Sequence, residues 1–205
     1  MTGPRLAALP EPDETDGRIR LRLWRDADLP LLMTYSDDPE LAHWTTVTEP
    51  ITLEAARAVV PGCRTLLASG EAAVVAIVDA ADDSLLGSMA LVIDGERPDT
   101  GEISYWVGAP WRRRGVATRA VNLLTTWSFE HAGLDQIELL TDVDNVPSQR
   151  VAERCAFSRE RVLPAHRVIG GRTADMVLYA RRTPVVSGAG DAALSGPDAR
   201  PRMRS

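Results

Sequence analysis

Lysine is absent from this 205-residue chain, so all 23 of its basic residues are arginine. The bias reads first as genomic composition, but it removes one class of protein at once. A nucleoside triphosphatase loop of the form GxxxxGK[ST] needs a lysine, and no GxGxxG turn follows any predicted strand to suggest a dinucleotide site. Cysteine is scarce too. Cys63 and Cys155 are too few for a disulfide scaffold or a zinc site, and His43, His131 and His166 fall at no ligand spacing, so no metal is expected. No apolar run approaches the roughly 18 residues of a membrane helix. The opening MTGPRLAALPEPDETDG has neither the basic flank nor the apolar stretch of a secretion signal. The expectation is a soluble, cytoplasmic protein that binds no membrane. A net charge of -6 argues against a general nucleic-acid binder, which would present a broadly basic surface.

What the chain does have is an ordinary globular composition, 44% hydrophobic and 25% charged, which suffices for one domain with a real core. Residues 1–17 and 184–205 are rich in Gly and Pro and poor in large apolar side chains, so both read as disordered tails around a domain over 18–183. Within it, RIRLRLW at 18–24 alternates as a half-buried strand. Helices are predicted after Asp26 and from a Thr52 cap, with a loop between them over 36–50. Strands follow over 72–79, 85–94 and 101–108. A helix runs from Gly115 to about His131, a strand over 136–143, and a helix capped by Asn145. Two last strands cover 157–163 and 174–181. The order β-α-α-β-β-β-α-β-α-β-β predicts a mixed α/β (α+β) domain.

Chemistry concentrates in GEISYWVGAPWRRRGVAT, residues 101–118. A strand ends there, a short turn follows, and Arg112, Arg113 and Arg114 lead into Gly115 at the start of an amphipathic helix. The first N–H groups of a helix lack internal acceptors and lie at the positive end of its dipole, so this geometry suits a phosphate. Gly115 lets such a ligand approach the backbone closely. An RNA-facing patch is the weaker reading of the same arginines.

This segment resembles motif A of the GNAT superfamily of N-acetyltransferases, [R/Q]xxGx[G/A], read here as Arg112-Arg113-Arg114-Gly115-Val116-Ala117. The strand before it, the helix after it, the strand ending Thr141-Asp142, and the run from Asn145 through Ser148 to Phe157 follow the family's blocks in order. The NxxS spacing and the Gly171, Asp175, Tyr179 pattern look most like the RimJ/RimL branch. The resemblance spans about residues 18–182. It implies a mostly antiparallel central sheet flanked by helices, whose fourth and fifth strands (101–108 and 136–143) splay apart around the pantetheine arm of acetyl-CoA. It further implies that backbone near Val107 pairs with that arm. The loop of Arg112, Arg113, Arg114, Gly115, Val116, Ala117 and Thr118 would hold the diphosphate, and Asn145 would contact pantetheine or cap its helix. Glu102 matches the family's general base and Ser148 the hydroxyl directed at the CoA sulfur. The implied activity is acetyl transfer from acetyl-CoA to a primary amine, either a protein N-terminus or a small molecule. The alternative is a non-catalytic acyl-CoA-binding or sensing module. Some relatives pair as dimers across their last strands, which leaves a homodimer open.

Plain readings of the same residues stand beside these. Glu102 can be a solvated strand-end acid, Asn145 only a cap, and Ser148 a first-turn serine. His43 and Trp44 lie in a loop that borders the acceptor in relatives. The sequence departs from the family pattern twice, with Arg113 and Ala156 where glycine is usual.

Overall fold

A computed structural model gives the fold, and it describes residues 8–46 and 49–183. One eight-stranded sheet, in the order β1-β2-β3-β4-β5-β6-β8-β7, organises the chain. Its strands are β1 (Glu14–Thr15), β2 (Ile19–Leu23), β3 (Ala72–Asp79), β4 (Leu85–Ile93), β5 (Thr100–Val107), β6 (Gln136–Asp142), β7 (Ser158–Ile169) and β8 (Arg172–Arg182). Every neighbouring pair is antiparallel except β5 with β6, which run parallel. The helices are α1 (Leu29–Ser36), α2 (Pro39–Trp44), α3 (Leu53–Ser69), α4 (Val116–Glu130) and α5 (Val146–Arg154). This is the mixed α/β (α+β) domain that the residue pattern predicted, with the mostly antiparallel sheet that the family resemblance implied.

Side chains alternate across a strand, so the sheet builds two cores. Val75, Ile77, Ile103 and Leu139 face α4 and α5, meeting Ala120, Leu124 and Trp127. Ala76, Val78 and Leu85 face α1 and α3, meeting Leu32, Ala56 and Val60. A buried Arg22 ties β2 to the rest through Asp28 at 2.8 Å and Asp83 at 2.8 Å.

Two expectations change. Residues 8–17 belong to the fold: the Leu9 N–H donates to the Leu67 carbonyl at 3.1 Å, β1 pairs with β2, and Arg20 grips Asp13 at 2.6 Å. Their composition hid this because ion pairs and one added strand, rather than an apolar stripe, hold them. Residues 1–7 and 184–205 lie outside the described residues. The predicted loop over 36–50 contains α2, whose Asp38 cap accepts from the Glu40 N–H at 2.9 Å with Pro39 in the first turn. A six-residue helix is too short to show periodicity.

Ala156 adopts φ +59°, a left-handed conformation that favours glycine. Its Cβ crowds the following carbonyl there, at a cost of roughly 1–2 kcal/mol. Ala156→Gly is therefore expected to raise the melting temperature by about 2–4 °C in a thermal scan. An unchanged or lower midpoint would show that this turn carries no strain.

Acid titration should reveal the ion pairs. Hydrogen bonds from Arg22 hold the Asp83 carboxyl below its ordinary value of 3.8, and those from Arg97 hold Glu138 below 4.5. A carboxylate with a depressed folded-state pKa contributes stability that is present above its unfolded value and lost as pH falls through the folded one. Urea midpoints should accordingly drop as pH is lowered below about 4. Glu138→Gln should flatten part of that fall, and an unaltered acid profile would remove Glu138 from the account.

Candidate active site

The centre of the sheet is closed at one end and open at the other. At the closed end Thr100–Ile103 pairs with Gln136–Leu139, the N–H groups of Asp135 and Gln136 donate to the Asp99 carbonyl at 2.8 and 3.2 Å, and Arg97 bridges Asp94 and Glu138. Pairing then stops. β5 continues with β4 as far as Val107 opposite Gly87, while β6 continues with β8 as far as Asp142 opposite Met176. Each strand follows its outer neighbour, and the two part as a V, as the family resemblance implied. The Gly108 N–H donates to the Leu86 carbonyl at 2.9 Å, so the alternation of an antiparallel ladder turns the backbone of Val107 and Tyr105 into the gap. The Val107 carbonyl accepts from Arg112 Nε at 3.0 Å.

Beyond the open end, Gly115 at φ +80° caps α4 without any side-chain cap. The first ladder bond runs from the Arg119 N–H to the Gly115 carbonyl at 3.1 Å, which leaves the N–H groups of Val116, Ala117 and Thr118 without intrahelical acceptors. A Cβ built on Gly115 would meet nothing within 4 Å, so open space lies over this end. The three arginines go three ways. Arg112 reaches Asp38 and Glu40, its charge is offset by theirs, and it holds α2 against the loop. Arg114 lies over the Trp111 ring at 5.3 Å. Arg113, at φ +60°, is exposed and has no partner among the described residues.

The α5 face of the gap carries hydroxyls. Asn145 Oδ1 accepts from the Ser148 N–H at 3.1 Å, so Asn145 does cap α5. Ser148 Oγ lies 2.9 Å from the phenol of Tyr105. Burial pushes that phenol's pKa up to about 12. Sequence reasoning passed over Tyr105, although alternation from Glu102 already put it on the opposite side of β5. Thr141, past the last position of β6 that pairs with β5, is buried with a hydroxyl that has no hydrogen-bond partner among the described residues. It shares the parity of Leu139, hence the face of Tyr105.

Glu102 lies on the other face, with Ser104 and Trp106. Both its oxygens are held by Arg167 of β7, at 2.6 and 2.5 Å. Next to Arg167, the turn between β7 and β8 docks on α2: the Gly170 N–H donates to the Thr45 carbonyl at 3.1 Å. A Cβ on Gly170 would lie 2.5 Å from the His43 carbonyl, so only glycine permits this approach. Arg172 pairs with buried Asp142 at 2.5 Å and lies 5.9 Å from the Trp44 ring. The structure thus brings the end of α2 and the turn between β7 and β8 together. A cleft of about 500 Å³ lined by Leu9, Trp24 and Arg64 sits at the β2 side of the sheet, apart from this chemistry.

A sheet parted beside an uncapped helix, with hydroxyls on one face of the gap and a carboxylate on the other face at its closed end, is an arrangement that suits group transfer. The chain belongs to the GNAT family of acetyltransferases: the family described as "Acetyltransferase (GNAT) domain" matches residues 18–158. It is an acetyltransferase by that membership and by its relatives. N-acetyltransferase p20 of Bacillus licheniformis is 25% identical over 162 residues, 79% of this chain and 91% of that protein. Among solved structures, the ribosomal L7/L12 alpha-N-protein acetyltransferase RimL in complex with coenzyme A superposes with a TM-score of 0.73 at 21% identity, covering 83% of this chain and 96% of that one. RimJ of Mycobacterium smegmatis, in complex with CoA-disulfide, gives 0.73 at 20% identity over 88% and 90%. At that identity the structural likeness speaks for the fold.

Proposed function

We propose that the protein transfers the acetyl group of acetyl-CoA to a primary amine, a protein N-terminus or a small molecule, by direct attack across the gap between β5 and β6. The observation that carries this reading is the V itself, with backbone turned into it from β5 and three unaccepted N–H groups at its mouth. Those groups fit the co-substrate. Val116, Ala117 and Thr118 would receive the diphosphate, with Arg113 free to add charge and Arg112 fixing the loop. The backbone of Tyr105 and Val107 would pair with the pantetheine arm as a strand edge does. Acetyl-CoA supplies the activated carbonyl.

An ammonium must lose a proton before its nitrogen can attack. Glu102 would take that proton, directly or through a water. Arg167 occupies one lone pair on each Glu102 oxygen, and a carboxylate offers about four such sites, so capacity remains. The Val107 N–H would polarise the carbonyl. Ser148, across the sheet from Glu102, would donate a hydrogen bond to the departing sulfur. Base and donor therefore approach the reacting carbon from opposite faces.

The test is thiol release from acetyl-CoA over a panel of amino acids, polyamines and N-terminal peptides, with the amide identified by mass. A new acetamide on one amine class supports the proposal. Tight acetyl-CoA binding with no transfer to any amine would select the binding-module alternative.

A further inference from the structure

Glu102 and Tyr105 project from opposite faces of β5, Glu102 at the closed end and Tyr105 beside the gap, and of the two side chains only that of Glu102 has a role so far. We infer that Tyr105 is a positioning residue for Ser148: its phenol donates to Ser148 Oγ and so turns the serine proton into the gap, toward the sulfur that departs. The inference rests on the reading of Ser148 as the group that meets that sulfur.

Three observations carry it. The two oxygens are 2.9 Å apart, a good O–H···O distance. Neither end of the contact is loose. Ser148 is anchored by the Asn145 cap in the first turn of α5, and Tyr105 lies within the ladder between β5 and β4, opposite Met89. Finally, the direction of the bond follows from counting donors. The phenol has no second partner among the described residues, and a phenol is a stronger donor and a weaker acceptor than an aliphatic hydroxyl, so the bond favours Tyr105 as donor. Were Ser148 to donate, the phenol proton would have no acceptor among the described residues and the serine proton would be committed to Tyr105. Donation by Tyr105 satisfies the phenol and leaves the Ser148 proton available, and a pKa raised by burial keeps the phenol protonated near neutral pH.

In the transfer step the neutral amine's nitrogen–carbon bond forms, and its surplus proton goes to Glu102, which has by then passed the ammonium proton to solvent. The carbon–sulfur bond breaks with its electron pair left on sulfur. The Ser148 O–H hydrogen-bonds to that thiolate, which takes its proton from solvent once released. Tyr105 neither gains nor loses a proton. Its contribution is orientation, so it appears only where Ser148 is present.

The experiment combines binding with turnover for Tyr105→Phe, Ser148→Ala and the double variant, each checked for a native melting transition. Calorimetric affinities for CoA and for desulfo-CoA report the sulfur contact without catalysis. The native protein should prefer CoA several-fold, and each single variant should bring that ratio close to one. In turnover, Tyr105→Phe should lower kcat about tenfold with KM for acetyl-CoA within twofold, and the double variant should be no slower than Ser148→Ala alone. Losses that multiply would show Tyr105 acting independently and overturn the inference. A Tyr105→Phe variant with native kcat and a native affinity ratio, beside an impaired Ser148→Ala, would also overturn it while sparing Ser148. An unimpaired Ser148→Ala would remove Ser148 from the mechanism and Tyr105 with it.

Discussion

The Glu102→Gln variant is expected to turn over about a hundredfold more slowly than the native enzyme near neutral pH, with KM for acetyl-CoA within twofold. Glutamine keeps the size and one acceptor oxygen but cannot take a proton. The affinity for acetyl-CoA should hold because Glu102 lies on the α1 and α3 face, whereas the uncapped end of α4 and the hydroxyls of Ser148 and Tyr105 lie toward the other. The fold should survive, since the Arg167 and Glu102 side chains remain 37% and 26% accessible and water can solvate what the substitution unpairs. Measured kcat and KM at saturating amine decide the point.

Arg167 makes the test discriminating. Its two charge-assisted hydrogen bonds fix the plane of the Glu102 carboxylate. If Glu102 is the base, Arg167→Leu costs orientation, a loss of several-fold, and leaves proton capacity intact. If the pair is merely a strap that pins the β7–β8 hairpin over the gap, Glu102→Gln and Arg167→Leu should be equally mild, with both effects in the KM of the amine. The expected inequality, Glu102→Gln far worse than Arg167→Leu, has no counterpart in the strap account.

Most of the architecture was legible because it rests on periodicity. Strict alternation exposed β2, and the helical spacing of Val116, Ala120, Leu124 and Trp127 exposed α4. The V was not visible in β5 or β6 themselves, which read as ordinary strands; it arises because each is better paired on its outer side, a property of register that no local pattern carries. It came from the ordered motifs. Contacts between distant polar residues were equally hidden. Nothing near Arg112 in sequence predicts Asp38 and Glu40 beside it, and nothing near Glu102 predicts Arg167, because an arginine's partner is chosen by the fold. Tyr105 is different. Its orientation was implicit in the alternation of β5, but its importance depended on Ser148 arriving from another element.

Gly115→Val is expected to raise KM for acetyl-CoA more than tenfold while kcat at saturation changes little. The argument is conformational before it is steric. Gly115 sits at φ +80°, where a β-branched residue is a genuine outlier, so valine must either bear the strain or swing the loop away. Either response alters the first N–H groups of α4, whose common direction would make the proposed anion site. Steric effect adds to this, since the position a Cβ would occupy is open to solvent, with no protein atom within 4 Å, and the methyls of valine would project where a diphosphate must come close. Gly115→Ala separates the two contributions, carrying the strain with far less bulk, and should fall between native and valine. Arg113→Gly supplies the opposite change, because it relaxes a side-chain-bearing residue at φ +60° in the same turn at the expense of one exposed charge. Its melting temperature should rise even as its affinity for acetyl-CoA falls at low ionic strength. That divergence would assign charge to Arg113 and geometry to Gly115; an unchanged KM in Gly115→Val would instead move the diphosphate away from the end of α4.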